Sequence, residues 1–142
     1  MRNKVLSKVA AVVMVCAVML SSVSVAGAQE VQPKKAATPY GTMSYLLMKV
    51  GAPSAKQKGA MAYTQMPASS KAFSYVRTTM EVQKNSTGKK IQEGSCKANY
   101  KANKKVGCEI ESRLYRVDKL AAFSCHEVVG KKSKEVYAAI TY

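Results

Sequence analysis

Residues 72–82 alternate. Ala72, Ser74, Val76, Thr78, Met80 and Val82 fall on one side of an extended chain, and Phe73, Tyr75, Arg77, Thr79 and Glu81 fall on the other. Successive side chains of a strand point to opposite faces, and β-branched and aromatic residues suit a half-buried pleat better than a helix. Turn chemistry follows at Lys84-Asn85-Ser86-Thr87-Gly88-Lys89, where Asn and Gly accept left-handed backbone. Further reversals at residues 101–105 (KANKK), at Asp118-Lys119 and at residues 130–133 mark out strands to about Tyr100, over 106–117, over 120–129 and over 134–142. With 43–50 and 60–66 ahead of them, the pattern predicts about seven short strands. The expected fold class is all-β, a small antiparallel β-sandwich over residues 43–142. A helix over 113–122, where Leu114, Val117 and Ala121 have near-helical spacing, is the local alternative.

The start of the chain has a different character. Arg2, Lys4 and Lys8 precede an uncharged apolar run over 9–20, then Ala26-Gly27-Ala28, and the first acid is Glu30. A basic head, a short apolar middle and a small-x-small ending are the parts of a secretory signal peptide. Twelve helical residues reach about 18 Å, short of the roughly 30 Å hydrocarbon core. Residues 1–28 are therefore expected to be removed, with an uncleaved anchor as the alternative. Residues 29–42 hold two prolines and two lysines without a sustained period and read as a mobile lead. No later apolar run approaches a membrane span, so the expected location is secreted, extracellular.

Export places Cys96, Cys108 and Cys125 in an oxidising compartment. If the KANKK turn centres near Ala102, Cys96 lies directly opposite Cys108 in a hairpin, close to disulfide reach. A Cys96–Cys108 bridge would constrain the unfolded chain by roughly 3 kcal/mol on the entropy model. Cys125 is left as a buried thiol, a partner for either of the others, or a link between chains.

Other chemistry has less material. Cys125-His126 resembles a nucleophile beside its base, but strand neighbours point to opposite faces. Glu109 and Glu111 share a face at a spacing that would suit a glycosidase pair, yet Arg113 follows, as on a solvated face with an ion pair. Three scattered Cys and one His give no zinc spacing, no oxygen-rich loop suits calcium, and Gly-rich phosphate loops are missing. No catalytic residue, metal or cofactor is expected.

Charge is the strong signal. The 142 residues carry 23 basic and eight acidic groups, net +15; without residues 1–28 and their three basic groups, 114 residues carry +12. Lysines gather in the turns and acids along the strands. Because antiparallel strands alternate direction, one end of the fold should collect Lys71, Lys101, Lys104, Lys105, Lys131, Lys132 and Lys134. The other should collect Lys56, Lys58, Lys84, Lys89, Lys90 and Lys119 with Asp118. Basic surfaces attract polyanions and release counterions on binding. The expected partners are anionic envelope polymers or lipid head groups, held by Lys101, Lys104, Lys105, Lys131, Lys132 and Lys134. Lysines at turns also keep sheet proteins soluble, which is the plainer explanation. Without Trp, and with eight Tyr spread singly, sequence-specific nucleic-acid reading has little support.

Phe123-Ser124-Cys125-His126-Glu127-Val128-Val129, a Gly-Lys turn and Val136-Tyr137-Ala138-Ala139-Ile140-Thr141-Tyr142 resemble the closing hairpin of small exported β-proteins of Gram-positive bacteria. Some of those are similar to lactococcin-972-type bacteriocins. The resemblance implies a β-sandwich acting on the cell envelope, and it carries over no functional residue. The sequence thus leads to an exported, non-enzymatic, cationic β-protein that binds anionic polymers. A bacteriocin-like antibacterial effector is the alternative, and a hydrolase using Glu109 and Glu111 comes third.

Overall fold

The computed structural model describes residues 32–51 and 56–142; the expected signal peptide lies outside the described residues. Pro33–Tyr142 forms one compact unit. It is all-β, with nine strands among the described residues: β1 (Lys34–Thr38), β2 (Gly41–Val50), β3 (Gln57–Met66), β4 (Tyr75–Lys84), β5 (Lys89–Asn99), β6 (Val106–Glu111), β7 (Tyr115–Arg116), β8 (Leu120–Val129) and β9 (Ser133–Thr141). One antiparallel sheet runs β1-β2-β3-β6, with β7 also pairing β3, and the other runs β5-β4-β8-β9.

Two strands are additions to the expected seven. β1 falls inside the stretch expected to be a mobile lead. It pairs with β2 from Lys34↔Tyr45 to Thr38↔Gly41. The Thr38 hydroxyl accepts the Tyr40 N–H at 3.1 Å and donates to the Gly41 carbonyl at 2.7 Å, while Gly41 takes φ 136°. Local propensity is weak there; the free edge of β2 supplies the template. β7 is what remains of the second half of the strand expected over 106–117, which breaks after Glu111. The helix over 113–122 does not form.

The alternation predicted over 72–82 holds from Tyr75 onward; ahead of the strand it reverses, with Phe73 buried and Ala72 and Ser74 exposed. Val76, Thr78, Met80 and Val82 are buried, while Arg77, Thr79 and Glu81 face outward. Each sheet turns one face to the other, and the apolar residues between them form two clusters. One contains Leu47, Ala60, Ala62, Met80, Val82, Leu120 and Ala122. The other contains Met43, Met66, Phe73, Val76, Val106 and Val128.

A polar layer separates the clusters. In the first sheet Tyr45, Thr64 and Cys108 stand side by side in register. Facing them in the second are His126, Thr78 and Cys96, again in register. The Tyr45 ring lies 5.0 Å from the His126 ring, and the hydroxyls of Thr64 and Thr78 are 2.6 Å apart. Thr64, Thr78 and His126 are fully buried, so each polar atom needs a partner. One proton assignment satisfies them all. Ser124 donates to His126 Nε2, His126 Nδ1–H donates to Thr64, Thr64 to Thr78, and Thr78 to the Cys108 carbonyl.

The reversal between β5 and β6 differs from expectation. It carries the chain from one sheet to the other, so Cys96 and Cys108 are not opposed within a hairpin. β5 pairs with β4, and β6 pairs with β3. A Cβ on Gly94 of β5 would collide with the Ile110 side chain of β6, which shows how closely the two strands face one another. Turn chemistry at KANKK dictates that the chain reverses; it does not dictate whether the reversal stays within a sheet or crosses between sheets.

Candidate functional site

Four connections meet at one end of the sandwich: β1–β2, β3–β4, β5–β6 and β8–β9. Hydrogen bonds tie three of them together and to the start of the β5–β6 loop. The Lys71 N–H donates to the Tyr40 carbonyl at 2.7 Å, Ser74 N–H to Val129 at 2.7 Å, and Tyr100 N–H to Ser74 at 3.0 Å. The Tyr40 hydroxyl donates to the Lys132 carbonyl at 2.8 Å and accepts the Lys132 N–H at 3.0 Å. Beneath them Phe73 is wedged between two rings, 6.1 Å from Tyr40 and 5.0 Å from Tyr100, the latter edge-on. Edge-to-face rings add to the burial they already provide. Gly130 makes this possible, since a Cβ there would run into the Tyr40 hydroxyl.

This scaffold carries Lys71, Lys101, Lys104, Lys105, Lys131, Lys132 and Lys134, all exposed. The β5–β6 loop presents Lys101, Lys104 and Lys105. There the Lys104 N–H closes on the Lys101 carbonyl at 3.3 Å, with Asn103 in the left-handed region at φ 59°. The β8–β9 turn presents Lys131 and Lys132, with Lys134 at the start of β9. The connecting segments hold no carboxylate. None of these seven lysines makes an ion pair among the described residues. The nearby Arg77–Glu127 pair lies on the outer face of the second sheet, where the guanidinium holds the Glu127 carboxyl below the usual carboxylate range.

The opposite end is mixed in sign. Lys56 lies 3.8 Å from Asp118, and Lys58 donates to the Asp118 carbonyl. Lys90 lies 2.8 Å from Glu93 and 3.4 Å from Glu81. Lys49 and Lys58 sit over the Tyr142 ring at 4.9 and 5.6 Å. A cleft of about 450 Å³ here is lined by Lys84, Asn85, Ser86, Asp118 and Lys119, so a carboxylate stands among its lysines.

The structure therefore brings together the lysines expected at one end. It also adds Tyr40, Phe73 and Tyr100, which hold that end and which the sequence pattern did not single out. Tyr40 lies in the stretch expected to be a mobile lead. The available signal was local: Tyr100 directly precedes Lys101, and Phe73 lies two residues after Lys71.

Cys96, Cys108 and Cys125 are free thiols, each half-buried. Cys96 and Cys108 approach across the sheets, with Cys108 Sγ 3.3 Å from the Cys96 carbonyl oxygen and 3.3 Å from the Thr78 hydroxyl. Cys125 is on the outer face of β8, opposite Tyr137, while His126 points inward. Burial pushes the His126 imidazole down to about 4.

Glu109 departs from the solvated face expected of it. Both its carboxylate oxygens are buried without a hydrogen-bond partner, and burial followed by Glu111 pushes its carboxyl up to about 7. The expected ion pair with Arg113 is missing because Arg113 lies beyond the end of β6, where strand alternation no longer applies. Its backbone N–H instead donates to Gln92 at 2.9 Å.

Among the described residues, no group of three or more His, Cys, Asp and Glu could hold a metal ion. No helix among them is long and apolar enough to cross a membrane. No family model and no curated protein matches the chain.

Proposed function

We propose that this chain is an exported, non-enzymatic cationic protein that binds anionic polymers of the cell envelope or its surroundings, or anionic lipid head groups. Its contact surface is the end bearing Lys101, Lys104, Lys105, Lys131, Lys132 and Lys134. One observation carries the reading: lysines from separate connections converge on a hydrogen-bonded scaffold with no carboxylate to neutralise them. Each ammonium near an anionic surface contributes about 1 kcal/mol, so six acting together hold the protein firmly but reversibly. Lysine presents a compact, hydrated point charge rather than a planar fork, which suits a polymer of repeated anionic groups better than one shaped ligand.

The test is retention on isolated bacterial cell walls and on vesicles containing phosphatidylglycerol across a salt gradient. Counterion release requires that a column holding the protein at low salt release it as the salt rises. Equal elution at both ends of the gradient overturns the proposal. The closing hairpin supports a second reading, an antibacterial effector acting at the envelope; growth arrest of bacteria by the purified protein distinguishes it.

A further inference from the structure

Cys96 and Cys108 occupy the polar layer between the two apolar clusters, one from each sheet. Thr78 stands beside Cys96 in the second sheet, and Thr64 stands beside Cys108 in the first. The two threonine hydroxyls touch across the interior at 2.6 Å, and beside them Cys108 Sγ comes within 3.3 Å of the Cys96 carbonyl oxygen. Between the cysteines runs the crossing loop that holds Lys101, Lys104 and Lys105. We infer that Cys96 and Cys108 form a disulfide that joins the two sheets and closes the lysine-bearing loop at its base.

The chemistry has what it needs. The Cys108 sulfur lies 3.3 Å from the Thr78 hydroxyl and 3.3 Å from the Cys96 carbonyl oxygen, and its thiolate is the attacking species. The exchange is symmetric in the two sulfurs and can start at Cys108. The Cys108 thiolate attacks one sulfur of an external disulfide, either a small-molecule disulfide or an exported dithiol protein in its oxidised form. That S–S bond breaks and one thiolate leaves. The Cys96 thiol then loses its proton and attacks Cys108 in the mixed disulfide, expelling the second thiolate. Two protein thiols are oxidised by two electrons, the external disulfide is reduced to two thiols, and the protons pass to the departing sulfurs. Both cysteines are half-buried rather than sealed, so a small disulfide reaches them. Cys125 takes no part, because it faces outward from β8 on the far side of that sheet.

The bridge changes the mobility of the loop whatever the lysines bind, so its test contains no polymer. The reduced, folded protein is incubated with oxidised glutathione, quenched in acid, alkylated and peptide-mapped. The expected map joins the Cys96 and Cys108 peptides and leaves Cys125 alkylated, with the same bridge in Cys125→Ser. Three alkylated or glutathionylated cysteines, or a bridge to Cys125, overturn the inference. Native trypsin digestion then compares oxidised with reduced wild type. Cleavage after Lys101, Lys104 and Lys105 should slow by about tenfold on oxidation, since each cut requires local opening of a loop that the bridge now closes. Equal rates show that the bridge does not govern the loop and overturn that half of the inference.

Discussion

The two ends of this sandwich carry similar numbers of lysines and differ in what surrounds them. At one end Lys71, Lys101, Lys104, Lys105, Lys131, Lys132 and Lys134 stand on turns fastened by Tyr40, Phe73 and Tyr100, with no acid in the connecting segments. At the other, Asp118, Glu81 and Glu93 take up Lys56 and Lys90. Counting charge along the chain makes the ends look equivalent. The difference is in compensation and rigidity: an unpaired ammonium on a fixed turn is available to a partner, whereas a paired one must first exchange its carboxylate.

The largest effect that would break this contrast comes from charge removal. Replacing Lys101, Lys104, Lys105, Lys131 and Lys132 by Gln should weaken retention on anionic vesicles by roughly 4,000-fold, at roughly 1 kcal/mol for each lysine. The matched replacement of Lys56, Lys58, Lys84, Lys90 and Lys119 should weaken it far less. Equal losses would make net charge, not location, the determinant.

Acid probes the layer that joins the two halves. The folded pKa of His126 is lowered to about 4 from 6.5, so on acidification the unfolded chain takes up the proton first. The stability His126 contributes is intact above its unfolded pKa and is lost as the pH falls toward 4. The loss is about 3 kcal/mol. Glu109 works in the opposite sense, since its raised pKa makes the folded form take up a proton first. Comparing urea midpoints of wild type and His126→Gln at pH 7 and pH 4 cancels the Glu109 contribution. Wild type should lose the additional 3 kcal/mol, and parallel curves would show that the imidazole is not sealed.

A smaller effect belongs to the scaffold alone. Gly130→Ala forces the Tyr40 hydroxyl away from Lys132 and should cost about 2 kcal/mol in thermal or urea unfolding, within the usual range for overpacking. It should also loosen the turn bearing Lys131 and Lys132, lowering the salt needed for elution. Tyr40→Phe keeps the ring and removes both bonds to Lys132, and should cost about 1 kcal/mol. Were its elution salt to match that of wild type, fastening of these turns would be irrelevant to binding.

Much of the architecture was legible because it is written in alternation. β8 spans the expected residues, and β4 alternates from Tyr75 to Gln83 in the expected phase. The grouping of lysines by end followed from chain reversal alone, which holds whether a turn makes a hairpin or crosses between sheets. What alternation could not show was partnership across the interior. Cys96 and Cys108 were expected to meet as hairpin neighbours, and they face one another instead across two stacked sheets, beside Thr78 and Thr64. β1 escaped notice since Lys34-Lys35-Ala36-Ala37-Thr38 has no strand signal of its own and depends on the edge it joins. The buried imidazole was unreadable for the same reason: its partners Thr64 and Ser124 lie 62 and two residues away.

At the far end of the molecule, Tyr142 exchanges reciprocal backbone hydrogen bonds with Leu120, at 2.7 and 3.0 Å. A reporter appended after Tyr142 would emerge there, separated from the Lys131 turn by the nine residues of β9, or about 30 Å. A fluorophore or surface tether attached at that point leaves the opposite pole unobstructed, so immobilised protein would present its cationic tip outward.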